Sequence, residues 1–337
     1  MKVFFRTDSS NSIGNGHLSR CLTLASSINE KGIDITFISR KHDGNINDII
    51  TKNGFRLLEL NSPDKNSSKL KSYEKWLGVN QKNDADETKK LIKNQKFKPD
   101  WLIIDHYALD SKWEKMLKPY VGKIMVIDDM ANRTHDCDIL LDHNWFENKE
   151  ERYNRLVSAD CIKLLGPKYL LLDSKFDDFR KKIELKSHKV KRVFIFFGGS
   201  DPYNLTSMAL KAFLTKDLSN LFVDIVIGSN NLNVKKIKIL CSQRKNIKLH
   251  IQTNKISDIM SKADLAIGSG GVNTWERIYL GLPSITISFS ENHDILLKDL
   301  DKNGYIFHLG NHSDVNTQII TNKVVEIKNN VSLLNQK

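Results

Sequence analysis

A histidine placed directly after a pair of glycines is the first point in this sequence where chemistry could be done. The stretch from Arg6 to Arg20 reads RTDSSNSIGNGHLSR, with Gly14 and Gly16 flanking Asn15 and His17 following at once. Before it stands a short apolar run, Lys2 to Phe5 (KVFF). After it Leu18, Cys21, Leu22, Ala25 and Ile28 recur at three- and four-residue spacing, the pattern of one helix face. The Ser, Asn, Asp and Gly between them are the residue types that accept turns and positive φ. His17 therefore falls in the first turn of a helix, whose free N–H groups and partial positive charge favour anions. An imidazole there is a candidate acid–base group facing a phosphate or an oxyanion. The same pattern fits a histidine that caps the helix or faces solvent. The dinucleotide fingerprint is not met, because Gly14-Asn-Gly16-His-Leu-Ser19 lacks the third glycine of GxGxxG and no acidic residue ends the next apolar run, Ile33 to Ser39.

Two further glycine turns lie in the second half of the chain. Gly198-Gly199-Ser200 follows VFIFF, and Gly268-Ser269-Gly270-Gly271 follows ADLAI. Glycines between a strand and a helix let backbone N–H groups approach a diphosphate without interference from a Cβ. Glu276 lies five residues past Gly271, about one and a half helical turns on, where a carboxylate could accept hydrogen bonds from a ribose diol. A solvated glutamate on a helix satisfies the same spacing. In the first half, apolar runs end in acids: Asp105-His106-Tyr107 after WLII, Asp128-Asp129 after IMVI, and Asp142-His143-Asn144 after ILL. Carboxyl ends of parallel strands line ligand crevices, which makes Asp105 and Tyr107 candidates. An aspartate capping the helix that starts near Ser111 is the alternative for Asp105. Asp128 and Asp129 suggest a cation, but no further carboxylate completes a ligand set, so no metal is expected.

These groups require strands and helices in alternation. Apolar runs at 2–5, 33–39, 101–104, 124–127 and 139–141, with a helix and strand within 46–60 and helices near 18–28 and 84–92, give a parallel α/β first domain, closed by Leu164 to Pro167. A second α/β set has runs at 193–197, 223–227, 247–251, 263–267 and 284–289. The expected organisation is two doubly wound, Rossmann-like domains facing a cleft, with a first domain at 1–180, a basic linker at 181–192 (KKIELKSHKVKR) and a second domain at 193–337. Its tail beyond Asn311 is polar, with one amphipathic helix and a frayed end.

Composition narrows the class. The chain has 337 residues, enough for two cores, with 40% hydrophobic and 27% charged residues, as in globular proteins. The formal charge of +12 invites a nucleic-acid partner, but the lysines are spread along the chain with interspersed acids and no basic-aromatic stripe, so none is expected. No apolar run is long enough to span a bilayer and no leader pattern opens the sequence, so a cytoplasmic monomer without a membrane partner is the expectation. Cys21, Cys137, Cys161 and Cys241 form no CxxC and read as buried thiols.

Taken as a string, ISDIMSKADLAIGSGGVNTWERIYLGLPSITISFSENHD resembles the nucleotide half of GT-B glycosyltransferases, especially the N-acetylglucosaminyltransferase of peptidoglycan synthesis and its hydrolase relatives. RTDSSNSIGNGHLSRC, PDWLIIDHYALDSKWE, MVIDDMANRTHDCDILLDHN, LLGPKYLLL and FFGGSDPYNLT together resemble the UDP-2,4-diacetamido-2,4,6-trideoxy-β-L-altropyranose hydrolase family of pseudaminic acid biosynthesis. The resemblance covers roughly residues 1–310. It implies a GT-B fold that transfers a nucleotide sugar to water with inversion, C1–O cleavage and release of UDP, without cofactor or metal. It implies that His17 is the general base, that Gly16 belongs to the same sugar-binding loop, and that Asp8 orients His17 or holds a sugar hydroxyl. By the same resemblance Glu276 takes the ribose, main-chain groups near Ile256 read uracil, Asn292 lies near the sugar or the attacking water, and the Gly270–Gly271 turn, helped by Gly199 and Ser200, holds the diphosphate. The sequence departs from the family where Asp173 follows the Tyr-x-Leu-Leu run in place of Arg and where His143 stands in place of Gln. A transferase using a UDP-amino sugar and another acceptor is the alternative.

Overall fold

The first strand is buried on both faces, which is what an apolar KVFF run predicts for the centre of a parallel sheet. In the computed structural model, which describes residues 1–63, 73–182, 189–289, 291–330 and 332–335, this strand is β1 (Lys2–Thr7). It is joined in one sheet by β2 (Asp34–Arg40), β3 (Arg56–Leu60), β4 (Trp101–Asp105), β5 (Lys123–Ile127), β6 (Ile139–Asp142) and β7 (Ile162–Leu165). The order is β3-β2-β1-β4-β5-β6-β7, with every pairing parallel. Side chains alternate across the sheet. Val3 and Phe5 pack with Leu18, Cys21 and Ala25 of the helix Gly16–Asn29, while Phe4 packs on the other face with Leu102 and Trp113. Phe5 stacks on Phe37 with ring centroids 4.9 Å apart. The edge strand β7 was not expected from the sequence, because its IKLL has an exposed first residue, Ile162, and no alternation long enough to mark it.

The chain reverses direction across this sheet between β1 and β4, so a crevice opens at their carboxyl ends. The loop carrying His17 follows β1, and Asp105 closes β4. The register sets Thr7 beside Asp105, which brings the two ends level.

The second unit repeats the plan. Its strands are β8 (Arg192–Phe196), β9 (Phe222–Ile227), β10 (Ile247–Ile251), β11 (Leu265–Gly268), β12 (Ser284–Ser288) and β13 (Phe307–Asn311). They lie in the order β10-β9-β8-β11-β12-β13, again parallel. The reversal here falls between β8 and β11, and these are the strands that lead into the two glycine turns.

Two boundaries differ from expectation. The compact units are Met1–Leu171 and Leu172–Lys337, so residues 172–180 belong to the second unit and not the first. The reason is packing: Phe176, in the helix Lys175–Lys182, is buried with Phe194, Phe196 and Val226, and Tyr279 Oη donates to Asp177 at 2.5 Å. Of the expected linker, 183–188 lie outside the described residues, whereas Val190 is already in the second core and Arg192 opens β8. The tail holds the one amphipathic helix expected, Thr317–Asn329, which buries Ile320, Val324 and Ile327 in that core; of the end after it, 331 and 336–337 lie outside the described residues. All four cysteines are buried free thiols. Among the described residues no helix is long and apolar enough to cross a membrane.

Candidate functional site

The loop after β1 is closed on itself before the helix starts. Gly14 N–H donates to the Ser10 carbonyl at 2.9 Å, with Gly14 at φ +77°, and Ser10 Oγ accepts from Ile13 N–H at 2.9 Å. That turn delivers Gly16 as the first residue of the helix Gly16–Asn29 and His17 as the second, with no side chain capping the helix end. The imidazole is fixed from one side. Nδ1 lies 2.5 Å from Asp105 Oδ1, and Nε2 makes no hydrogen bond among the described residues.

Asp105 is fully buried and holds Arg20 as well as His17. Arg20 Nε donates to Oδ2 at 2.5 Å and Nη2 to Oδ1 at 2.7 Å, a two-point pairing that fixes both planes. Burial pushes the Asp105 carboxyl up, but Arg20 and His17 outweigh it and hold it well below the usual carboxylate range. An ionised carboxylate can only accept, so Nδ1 carries a proton, and in the neutral form of the ring Nε2 presents its lone pair. Arg20 continues to Asp129, donating from Nη1 to Oδ2 at 3.0 Å, and Tyr107 Oη donates to Asp129 Oδ1 at 2.5 Å. Burial opposes ionisation of Asp129, and Arg20 followed by Tyr107 brings it down to about 2. The pair Asp128-Asp129 is thus compensated by cations of the chain, Asp128 lying 2.7 Å from Arg133 Nη1. Among the described residues no three metal-ligating side chains are grouped to hold an ion.

An aromatic wall stands beside the imidazole. Tyr107 meets His17 edge to face at 4.5 Å, Trp76 stacks on Tyr107 at 5.7 Å, and Tyr73 touches both. Trp76 and Tyr107 are half-buried.

Asp8 requires a correction. It has no exposed surface to offer a ligand and no contact with His17. Its Oδ1 accepts from Arg6 Nη1 at 2.5 Å and from the Arg40 backbone N–H at 2.6 Å, and Oδ2 lies 3.4 Å from His42 and from His106. Asp8 closes a buried ion network with Arg6, Arg40 and Asp84. Asp105 is buried behind His17 with its two oxygens taken by His17 and Arg20, and the helix near Ser111 is capped not by it but by Asp110. Arg20, Tyr73 and Trp76 were missed by sequence reasoning. The one available signal was Arg20 itself, three residues after His17 on a helix face otherwise carrying Cys21 and Leu18.

Asp142 and His143 end β6 on the same side. Burial, then Asp129, pushes Asp142 up to about 7 against the pull of Arg152. Burial, then Arg20, draws His143 down to about 4, so this imidazole is neutral. Asp173, the other departure, lies in the second unit, accepting from Lys175 N–H at 3.0 Å.

In the second unit, Gly198 (φ +90°), Gly199 and Ser200 follow β8. Gly199 accepts from Gly228 N–H at 2.9 Å, and Ser200 is exposed. Gly270 lies where a Cβ would come within 2.9 Å of His293, and Gly271 (φ +104°) precedes the helix Val272–Tyr279 without a side-chain cap. Glu276 is half-buried on that helix and accepts from Asn273 Nδ2. Burial raises its carboxyl to about 7, with Asn273 and Arg277 opposing. Ile256 opens the helix Ile256–Ser261 after β10. Asn292 falls in the helix Glu291–Lys302, but its side chain lies outside the described residues.

Comparison with known proteins agrees with this arrangement. Residues 193–303 match the glycosyltransferase family 28 C-terminal domain. The Acinetobacter baumannii MurG crystal structure superposes with TM-score 0.65 at 12% identity, covering 99% of this chain and 93% of that one, which shows a GT-B fold of two parallel-sheet α/β domains. An uncharacterized Methanocaldococcus jannaschii protein is 26% identical over 314 residues, 90% of this chain, which spans only 59% of that protein's length. The UDP-2,4-diacetamido-2,4,6-trideoxy-β-L-altropyranose hydrolase of Campylobacter jejuni subsp. jejuni serotype O:2 is 31% identical over 306 residues, covering 90% of this chain and 98% of that one. With the glycine turns of the second unit, a carboxylate-fixed histidine at the first sheet's reversal and this match over 90% of the chain together, the chain belongs to the UDP-2,4-diacetamido-2,4,6-trideoxy-β-L-altropyranose hydrolase family.

Proposed function

We propose that this chain hydrolyses UDP-2,4-diacetamido-2,4,6-trideoxy-β-L-altropyranose, or a closely related UDP-linked deoxyamino sugar, releasing UDP with inversion at the anomeric carbon. The observation that carries the reading is the 2.5 Å pairing of His17 Nδ1 with the buried Asp105, which leaves Nε2 as a free base. A water oxygen bonds to C1 as the C1–O bond to the β-phosphate breaks. The water proton passes to His17 Nε2, and the electron pair leaves with UDP. Arg20 and Asp105 hold the ring still during the transfer. The half-buried Trp76 and Tyr107 suit the apolar edge of a 6-deoxy sugar. Gly270 and Gly271 at the uncapped helix end, with Gly199 and Ser200, receive the diphosphate, Glu276 the ribose and the backbone at Ile256 the uracil. The reaction needs no metal, nucleic acid or membrane, and a monomer suffices.

The match of residues 193–303 to a glycosyltransferase domain favours a second reading, transfer to a non-water acceptor. UDP release from the altropyranose compound and from UDP-N-acetylglucosamine, measured in EDTA without added acceptor, separates the two. Release from the altropyranose compound alone is expected. Absence of release until an acceptor is supplied would establish the transferase.

The ribose assignment makes a pH prediction. With its carboxyl raised to about 7, Glu276 loses its proton as pH rises from 6 to 8, and only the carboxylate accepts from both ribose hydroxyls. If that form binds, uridine affinity rises about tenfold over this interval. Titration calorimetry of the wild type and of Glu276→Gln should show a sloped and a flat profile respectively. A flat wild-type profile would remove Glu276 from the ribose.

A further inference from the structure

Behind the glycine turn that follows β11 lies a charge that the proposed chemistry does not use. Arg277, in the helix Val272–Tyr279, is 0% exposed. Its Nη2 donates to the Ser269 carbonyl at 2.8 Å and to Thr274 Oγ1 at 3.1 Å. Nε and Nη1 are buried with no hydrogen-bond partner, and no carboxylate pairs with the guanidinium among the described residues. Burial draws its pKa down to about 10, with the neighbouring Glu276 acting the other way, so the group is a cation at neutral pH.

An unpaired buried charge is strongly unfavourable for the free protein, and a packed apolar side chain would be better tolerated there. Its position gives the reason. A Cβ on Gly268 would lie 2.5 Å from Arg277 Nη1, so the guanidinium is pressed against the last residue of β11, directly behind Gly268–Gly271. In front of the same turn is the helix end left uncapped at Gly271. The two sources of positive potential, a cation and a helix terminus, act on one loop in which three of the four residues are glycine.

We propose that Arg277 is a positioning residue that selects for the diphosphate: its buried charge holds the Gly268–Gly271 turn at positive potential and so favours a nucleoside diphosphate over the nucleoside. It does not touch the ligand. It acts through the field at the turn and through the Ser269 carbonyl that it anchors. This rests on the reading of the turn as the UDP site. The same field stabilises the charge that grows on the leaving UDP.

The test is calorimetric titration of the full chain with uridine and with UDP, for wild type, Arg277→Met and Arg277→Lys. Wild type should prefer UDP. The Met variant should lose about tenfold or more in UDP affinity while uridine stays within about twofold, because only the charged ligand feels the lost cation. The Lys variant keeps the charge and should keep the UDP-to-uridine ratio within about threefold of wild type. Equal weakening of both ligands by Arg277→Met would mark a merely structural role and overturn the proposal. A collapse of the ratio in Arg277→Lys would overturn it too, and that variant decides the matter alone if the Met variant does not fold. Wild type that binds neither ligand would instead overturn the nucleotide site on which the proposal stands.

Discussion

Replacement of His17 by Ala is expected to lower kcat for UDP release by about three orders of magnitude, within the range attributed to a positioned general base. The affinity for UDP should stay within about twofold, since the groups proposed to hold the nucleotide are all on the second unit. The expectation follows from how the ring is held. Its Nδ1 is committed to Asp105, and the neighbouring Tyr107 and Arg20 are not placed to take a proton: Tyr107 donates to Asp129, its own pKa pushed up by burial and then by that carboxylate, and Arg20 donates to Asp105 and Asp129. A stopped UDP-release assay with calorimetry on the same preparation reads both quantities. Activity within tenfold of wild type would assign the base elsewhere.

The second large effect is expected at Asp105. An Asn there keeps one acceptor but presents an NH₂ toward His17 Nδ1, which moves the ring proton to Nε2 and removes the base. Asp105→Asn should therefore lower kcat by about 10²- to 10⁴-fold without any change at the reacting atoms. It should also destabilise the first unit, because Arg20 loses the carboxylate that neutralises it in a buried site, a change that costs about 3–5 kcal/mol when one partner of such a pair is removed. The sign with pH is set by the depressed carboxyl: the stabilisation is complete above the unfolded value near 3.9 and is lost as pH falls through the lower folded value. Wild type should thus lose stability on acidification below about pH 4 more steeply than Asp105→Asn. Denaturant midpoints from pH 3 to 7 measure this. In the double variant His17→Ala with Asp105→Asn, the activity loss should barely exceed that of His17→Ala alone, because the aspartate acts only through the histidine. Additive losses would sink the positioning role.

Much of this was legible in the residues. The glycine turns, the short apolar runs and the three- and four-residue spacing after Leu18 depend on local sterics and on burial of one face, so the strand–turn–helix order could be read along the chain. The histidine after Gly16 and the glutamate after Gly271 could be read for the same reason, since each lies within a few residues of the turn that places it. What local spacing could not supply was partnership. Asp8 lies nine residues from His17 yet is drawn away by Arg6 and the Arg40 backbone, while Asp105, 88 residues away, meets the imidazole. That choice is made by strand order: β4, distant in sequence, pairs with β1 in a register that sets Asp105 beside Thr7. Arg20 reaches across 109 residues to Asp129 by the same route. The boundary at Leu171 and the burial of the tail helix were likewise decided by packing, because Phe176 and Ile320 are apolar residues in polar stretches and only a formed core gives them somewhere to go. The sequence by itself determined which elements form and which reactive side chains stand at their ends; the tertiary structure alone decided which charges meet, because parallel pairing joins strand ends without regard to their distance along the chain.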